Sequence, residues 1–548
     1  CSYAGEALDK KTPLLRSMEA LNEQSLRILK LFGNEAKHVT TTMGPEQEYF
    51  LVDEALYQKR KDLKMCGRTL FGAKPVKGQE MDDQYFAAIK PRVIKYMEEL
   101  NTELWKLGIY CKTEHNEAAP AQHEMAPIFT TSNLAADQNQ LTMEIMKKVA
   151  RRHGLLCLLH EKPFEGVNGS GKHNNWSIAT DKGENLFSPG KTPMENAQFL
   201  LFLTAVIKAV DENQDLLRCI VASAGNDHRL GANEAPPSIM SIYVGDELDA
   251  ILNAIRKGTD YEGAKKKKMT IGVDVLPPIP KDSTDRNRTS PFAFTGNRFE
   301  FRSVGSNLSI SGPNTILNAI LADALKSFAD ELEKSDNFDS DLHKLIKREI
   351  TNHWNILFNG NGYGAEWIVE AEKRGLKNYR TTPDAMEHYL DEKNIKLLGG
   401  LGIYTEDEMR SHYEIKLEKY CQTLNIEVET MIKMVNKDIL CSSFKYMNVM
   451  ADTSYKFQKI LLSGFSGDEL LSDLNKLVRN LMQNTKNLEK LHAKTREMKD
   501  LLEKSKSYAY QILPAMEEVR AVADQIELIL GEEYKPFPSY EDLLYSVQ

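Results

Sequence analysis

Apolar residues recur at helical spacing near the start of the chain. Leu21, Leu26, Ile28, Leu29 and Leu31 form one apolar side and predict a helix running to about Lys37. From Val39 the pattern changes. Thr40-Thr41-Thr42 and then Glu46 to Val52 read as β-strand. Ala88 to Leu107 predicts a helix, followed by a strand at Gly108-Ile109-Tyr110-Cys111. A further helix is expected over Asp137 to Arg152, then a strand over Gly154 to Leu159. Helices and short strands mix in this way to about residue 330, which indicates an α+β fold rather than a strict βαβ repeat. Beyond about residue 405 the pattern is almost purely helical. Leu474, Leu477, Leu481, Leu488, Leu491, Met498 and Leu502 follow three-and-four spacing. Such a stripe suits an oligomerisation seam or a helical hairpin of the same chain, and hairpin packing is the simpler reading. Pro514 is expected to kink or end that helix, and Ala515 to Leu530 to form another, stopped by Gly531 and Pro536.

Length and charge narrow the class. At 548 residues the chain can hold two or three domains. A formal charge of -9 disfavours nonspecific nucleic-acid binding. The run Lys265 to Lys268 is short and reads as a solvated loop. Seven cysteines without a CxxC pair point to reduced thiols and a cytoplasmic protein. The longest apolar stretch, Phe199 to Val206, is too short to span a bilayer, so no membrane partner is expected. The chain opens at Cys1 rather than Met and reads as one entered partway through.

The candidate chemistry starts at His115-Asn-Glu117-Ala-Ala-Pro-Ala-Gln-His123-Glu124. Two carboxylates and two imidazoles stand among small residues, a composition that holds acids in a crowded place. Glu46 and Glu48 alternate on a strand and so share a face. Asn168-Gly169-Ser170-Gly171-Lys172-His173 is a glycine-spaced turn ending in an imidazole, followed by a strand at Asn174 to Ile178. In Arg298-Phe299-Glu300-Phe301-Arg302 the charged residues share one face and the phenylalanines anchor the other. Two loops, Asp227 to Pro237 and Arg286 to Pro291, carry further arginines. Each piece alone fits an ordinary turn, loop or ion pair. Together they make Glu46, Glu48, Glu117, Glu124 and Glu300 an oxygen-rich set with one imidazole, His173, which suits Mg²⁺ or Mn²⁺ rather than structural zinc. Two or three ions would balance these acids. Arg229, Arg288, Arg298 and Arg302 around them fit phosphoryl transfer from ATP.

These motifs, in this order, resemble those of glutamine synthetases, and the long chain with added C-terminal helices resembles the type III class. The resemblance implies a curved antiparallel sheet flanked by helices over residues 44–405, a remnant or linker helix over 1–43 and a helical extension over 406–548. It implies ligation of ammonia to the γ-carboxylate of L-glutamate through γ-glutamyl phosphate, giving glutamine, ADP and phosphate. Joining another amine to glutamate, or a non-catalytic structural role, are the alternatives. It also implies roles by position. Glu48, Glu117 and Glu124 would hold the metal nearest glutamate; Glu46, His173 and Glu300 would hold the metal on the ATP phosphates. Asn168, Gly169, Arg229 and Arg302 would bind glutamate, Arg298 and Ser177 the nucleotide, and Arg288 the transferred phosphoryl. Glu234 would take a proton from ammonium, while His115 and His123 would support or pack. A cytoplasmic homo-oligomer, a dodecamer of two hexameric rings, is expected. Three departures stand out. Asn175 occupies a place where many relatives have a second histidine. Thr289 to Thr295 lacks the second arginine of type I enzymes. The small β-rich domain that precedes the catalytic domain in relatives, and completes a neighbour's site, is missing from this chain.

Overall fold

A computed structural model describes residues 6–233, 235–259, 268–269, 279–280, 290–461 and 466–547. Among them, nine strands form one sheet: β1 (Val39–Asp53), β2 (Cys111–Asn116), β3 (Gln122–Pro127), β4 (Thr130–Thr131), β5 (Leu155–Leu158), β6 (Gly171–Thr180), β7 (Ile242–Tyr243), β8 (Phe292–Phe294) and β9 (Phe299–Gly305). The order β2-β3-β1-β6-β9-β8-β7 puts the long strand β1 in the interior, with β4 and β5 pairing its two ends. All pairs are antiparallel except β8 with β7, which run parallel. The sheet is therefore mixed at one edge, where the family resemblance implied an antiparallel one.

Alternation decides which face does what. Met43 and Val39 of β1, Trp176 and Ile178 of β6, and Phe299 and Phe301 of β9 enter the main apolar core. That core includes the helices Lys11–Leu31, Ala197–Glu212 and Ser311–Leu332. Phe299 stacks on Phe292 with centroids 5.0 Å apart and meets Phe187 edge-on at 5.1 Å. Further along β1, Tyr49 and Leu51 pack against the helices Pro91–Trp105 and Ser132–Arg152. The opposite face carries Glu46 and Glu48, and then Phe50 and Val52, which pack with Phe164, Tyr540, Leu543 and Leu544. The chain's C-terminal segment thus covers the sheet face beside the acids.

Most elements lie where the periodicity places them, and the shifts have local causes. The first helix stops at Leu31, and β1 starts at Val39. The helix from Pro91 to Trp105 closes on Gly108, whose positive φ of 72° turns the chain, so β2 begins only at Cys111. The turn expected through His173 is shorter: β6 already starts at Gly171, so Lys172 and His173 alternate as strand residues. The apolar stripe from Leu474 lies on the helix Asp468–Arg496, where Leu474, Val478, Leu481 and Leu488 bury against Val519, Ala523 and Ile526 of the helix Leu513–Ile529. It is intrachain packing. Pro514 neither kinks nor ends that helix, which stops at Arg496. Pro514 instead sits in the first turn of its own helix, after a π-helical turn over Tyr508–Ile512 that loosens the ladder a proline ring would strike. The described cysteines are free thiols, and no described helix is long and apolar enough to cross a membrane.

Candidate active site

Strand register assembles the acids. Glu46 pairs His173 across β1 and β6, Glu48 faces Glu124 across β1 and β3, and His115 faces Glu124 across β2 and β3. Glu300 on β9 faces Asn175 on β6, two residues from His173. One sheet face therefore gathers Glu46, Glu48, Glu124, His173 and Glu300 from four strands. Glu117 comes from the turn after β2, where Glu117 N–H donates to Gln122 O at 2.9 Å. Ala121 in that turn has a φ of 63°, left-handed backbone unusual for a residue other than glycine. A cavity of about 340 Å³ opens over these groups and is also lined by Asn168, Gly169, Arg229 and Arg302.

The acids are crowded and mostly buried. His173 Nδ1 lies 3.0 Å from Glu46 Oε2 and 3.2 Å from Glu300 Oε1, and its Nε2 lies 3.6 Å from Glu48 Oε1. Burial alone would push this imidazole down. The bond to Glu46 and the charges on Glu300 and Glu48 outweigh burial and hold it up at about 10. Burial, with Glu46 and Glu117 nearby, pushes the Glu124 carboxyl well above its usual range. Burial raises Glu48 too, and the charge on Glu117 adds to it. Burial would also raise Glu300, but His173 and Arg302 pull it below its usual value. Arg302 Nε donates to Glu300 Oε1 at 2.9 Å.

Such a set wants a cation. Three groups hold ligand atoms within 4.8 Å of one another: Glu46-His173-Glu300, Glu48-Glu124-His173 and His115-Glu117-Glu124. Gln122 Oε1 is a buried cavity-wall acceptor with no donor among the described residues. Carboxylate oxygens with an imidazole fit hard divalent ions. The proton that the acids hold on His173 occupies the place of positive charge.

Glycines set the substrate end. A Cβ on Gly169 would lie 2.3 Å from Glu161 O, and one on Gly171 would lie 2.1 Å from Arg229 Nη2. Both positions must be bare for the Asn168–Gly171 segment to pass between them. Gly171 N–H donates to Glu48 Oε2 at 2.6 Å, and Arg229 Nη2 donates to Arg302 O at 3.1 Å. Asn168 is fixed by Gln79, with its N–H donating to Gln79 Oε1 and its Oδ1 accepting from Gln79 Nε2, both at 2.7 Å.

Family models match in two stretches. The one described as glutamine synthetase, catalytic domain, matches residues 27–240, and the one described as glutamine synthetase C-terminal domain matches residues 341–458. A glutamine synthetase of Butyrivibrio fibrisolvens is 48% identical over 561 residues, covering 100% of this chain and 79% of that protein. A type-3 glutamine synthetase of Dictyostelium discoideum is 45% identical over 100% of this chain and 76% of its own. A glutamine synthetase of Bacteroides fragilis is 42% identical over the same shares. The chain belongs to the glutamine synthetase family.

Within this family frame, the expected positions fall into three groups. Glu46, Glu48, Glu117, Glu124, His173, Glu300, Asn168, Gly169, Arg229 and Arg302 all line the one cavity. Ser177 lies on the same sheet face and Arg298 just before β9, both outside the cavity lining. Ser177 Oγ donates to Asn297 O at 2.9 Å, and the Arg298 guanidinium sits 5.1 Å from the Phe129 ring centroid. Glu234 and Arg288 lie outside the described residues, as do Arg286 and Asn287, although Asn233 and Ala235 line the cavity. The two histidines of the opening motif part company. His123 is buried, bonded to Asn116 Oδ1 at 3.0 Å and pushed down by burial to about 3. His115 instead joins an acidic trio, 3.1 Å from Glu117 Oε1. His115, expected to support or pack, stands within reach of an ion in that trio, and Tyr85 and Tyr363, which the sequence reading did not single out, line the cavity wall. No local signal marks those tyrosines; only the chain's return brings them there. For His115 the signal was available, in its place two residues from Glu117.

Proposed function

We propose that this cavity joins ammonia to the γ-carboxylate of L-glutamate in an ATP-driven ligation, through γ-glutamyl phosphate, releasing glutamine, ADP and phosphate. The observation that carries the reading is the convergence of five carboxylates and His173 with Arg229 and Arg302 around one cavity. Glu48, Glu117 and Glu124 would hold one divalent ion, Mg²⁺ or Mn²⁺, and Glu46, His173 and Glu300 another. Bound ions supply positive charge to the transferred phosphoryl and to the carboxylate that accepts it.

The chain's own groups do the rest. A carboxylate resists attack by ammonia because its oxygen is a poor leaving group; phosphorylation supplies a good one. Arg302, aimed by its bond to Glu300, orients the γ-carboxylate by its planar fork. Arg229, seated over Gly171, meets the other substrate carboxylate, and Asn168, held by Gln79, presents its amide to the amino end. Gly169 lets the substrate approach the backbone. Ser177 and Arg298 carry the nucleotide along the sheet face. Arg288 steadies the moving phosphoryl, and Glu234 accepts the ammonium proton. We also propose a catalytic unit over 44–405 preceded by a linker over 1–43, a helical unit over 406–548, a cytoplasmic setting, and a homo-oligomer built as two hexameric rings. The separate apolar core formed mainly by Tyr420 to Phe537 supports the helical unit.

A coupled phosphate-release assay on the full-length protein tests the reading, with ATP, Mg²⁺ and glutamate, comparing ammonium with other amines. Ammonium-dependent release is expected. Release that depends on a larger amine and not on ammonium would overturn it, as would none at all. Light scattering should give a ring-sized assembly; a monomer would remove the oligomer proposal.

A further inference from the structure

A second cavity, of about 220 Å³, lies behind the substrate segment, against the helix Glu406–Met434. Lys10, Lys416 and Lys419 all line it. Lys10 and Lys419 are exposed, and among the described residues neither has a carboxylate within ion-pair distance. Lys416 Nζ donates to the carbonyls of Cys219 and Ile220, which leaves one of its three N–H groups unused. Leu308, Pro313, Tyr389 and Tyr404 add apolar wall, alongside polar groups that include His160, Asn307 and His412.

Deeper in, two buried polar atoms lack partners. The Tyr420 hydroxyl and Glu161 Oε2 line the same cavity and have no hydrogen-bond partner among the described residues, although Tyr420 is 2% exposed and Glu161 0%. Buried polar atoms are rarely left so. Three lysine amines, two of them exposed, with apolar wall and an unpaired hydroxyl beside an unpaired carboxyl oxygen make a recognisable complement.

We propose that this cavity binds a small organic anion. Its carboxylate meets Lys10, Lys416 and Lys419, its apolar body lies against Leu308 and the tyrosines, and a hydroxyl reaches Tyr420 and Glu161. The position also ties the ligand to catalysis. Glu161 Oε1 accepts from Asn307 N–H at 3.2 Å, while its backbone carbonyl accepts from Ser170 N–H at 2.8 Å, inside the substrate segment. The short helix Ala224–Arg229 begins on this cavity with Ala224 and Gly225 and ends on the active site with Arg229. An occupant therefore touches both supports of the substrate end and shifts the apparent affinity for glutamate. This second part rests on the proposed active-site reading; binding itself does not.

The probe is 4-hydroxybenzoate, which carries a carboxylate, an apolar ring and a hydroxyl, with 4-hydroxybenzamide as the neutral control. Isothermal titration on the full chain should show the carboxylate binding at least about tenfold tighter than the amide. Lys419→Glu, a surface change, should weaken the carboxylate at least about tenfold and leave the melting temperature in place. Equal affinity for the two compounds, no binding of the carboxylate, or full binding by Lys419→Glu would overturn the site. In the ligase assay the carboxylate should change the KM for glutamate in the parent and not in Lys419→Glu. An unchanged KM with intact binding would overturn the coupling alone. Loss of the ligase reading would leave the titration result standing.

Discussion

Glu48 and Glu124 stand directly opposite each other across β1 and β3, two buried acids on one face. Like charges so placed repel. Replacing one should relieve the ion-free protein and harm the ion-bound one. Glu124→Gln is expected to unfold at or above the parent temperature in chelator, gaining about 0.5–1 kcal/mol. It should also lose most of the Mg²⁺-induced rise in melting temperature. Equal Mg²⁺ stabilisation of parent and variant would remove Glu124 from the ion site.

Glu300 has two jobs that substitution can separate. It is 3.2 Å from His173 Nδ1 as a candidate ion ligand, and it accepts from Arg302 Nε. Glu300→Ala removes both, and phosphate release should fall at least about a hundredfold. Glu300→Gln keeps an acceptor for Arg302 and loses the charge. If Glu300→Gln retained near-parent phosphate release, orienting Arg302 would be the residue's whole contribution.

Gly171 is bare because Arg229 lies over it. A methyl there would stand 2.1 Å from Arg229 Nη2 and 3.0 Å from Val304 O. Gly171→Ala should displace the guanidinium and raise the KM for glutamate about tenfold or more. Overpacking should cost about 1–3 kcal/mol of stability as well. An unchanged KM in a destabilised protein would mean that Arg229 does not meet the substrate.

Arg68 and Glu427 join distant parts of the chain. Arg68 Nη2 lies 2.8 Å from Glu427 Oε2 and Nε 3.1 Å from Oε1, with both side chains buried. Removing one partner strands the other. Glu427→Gln should destabilise by about 3–5 kcal/mol, while Arg68→Met with Glu427→Leu should recover much of that loss. Denaturant unfolding of the three proteins decides it; a double variant as unstable as the single would show that packing, not the stranded charge, is what was lost.

What could be read from the chain was what alternation controls. Period two correctly put Glu46 with Glu48, and Glu300 with Arg302, on the face away from Phe299 and Phe301, because a strand leaves a side chain only two directions. It could not say that β6 lies between β1 and β9, which is what brings His173 within reach of both Glu46 and Glu300. Gln79 and Tyr363 reach the site only through long chain returns. The three-and-four stripe from Leu474 and its partner helix were both legible, and the hairpin packing held; the π turn over Tyr508–Ile512 just before Leu513–Ile529 was not, because no spacing rule marks it.

His353 ties the end of one helix to another and should give stability a pH dependence above neutrality. Its Nδ1 is 2.7 Å from Asp211 Oδ2, and its Nε2 is 3.4 Å from Glu349 Oε2 and 3.7 Å from Glu212 Oε1. Burial would lower this imidazole, but Asp211 and Glu349 outweigh it and hold it up at about 9. The sign follows. In the unfolded chain the ring titrates near its ordinary value of about 6.5. Below that pH both states are protonated, and the interaction contributes in full. Between about 6.5 and 9 the unfolded state gives up its proton first, so the contribution drains away as pH rises. Glu349, drawn down to about 2 chiefly by its bond to His353, reports the other side of the same contact and is not added to it. Lys416, which burial lowers to about 7, and Lys162, which burial lowers to about 8, titrate in the same window. The measurement is therefore a difference: melting temperature against pH for the parent and for His353→Gln. The gap between the curves should be widest below pH 6.5 and close toward pH 9. A gap that stayed constant across that range would mean His353 carries no displaced proton in the folded protein.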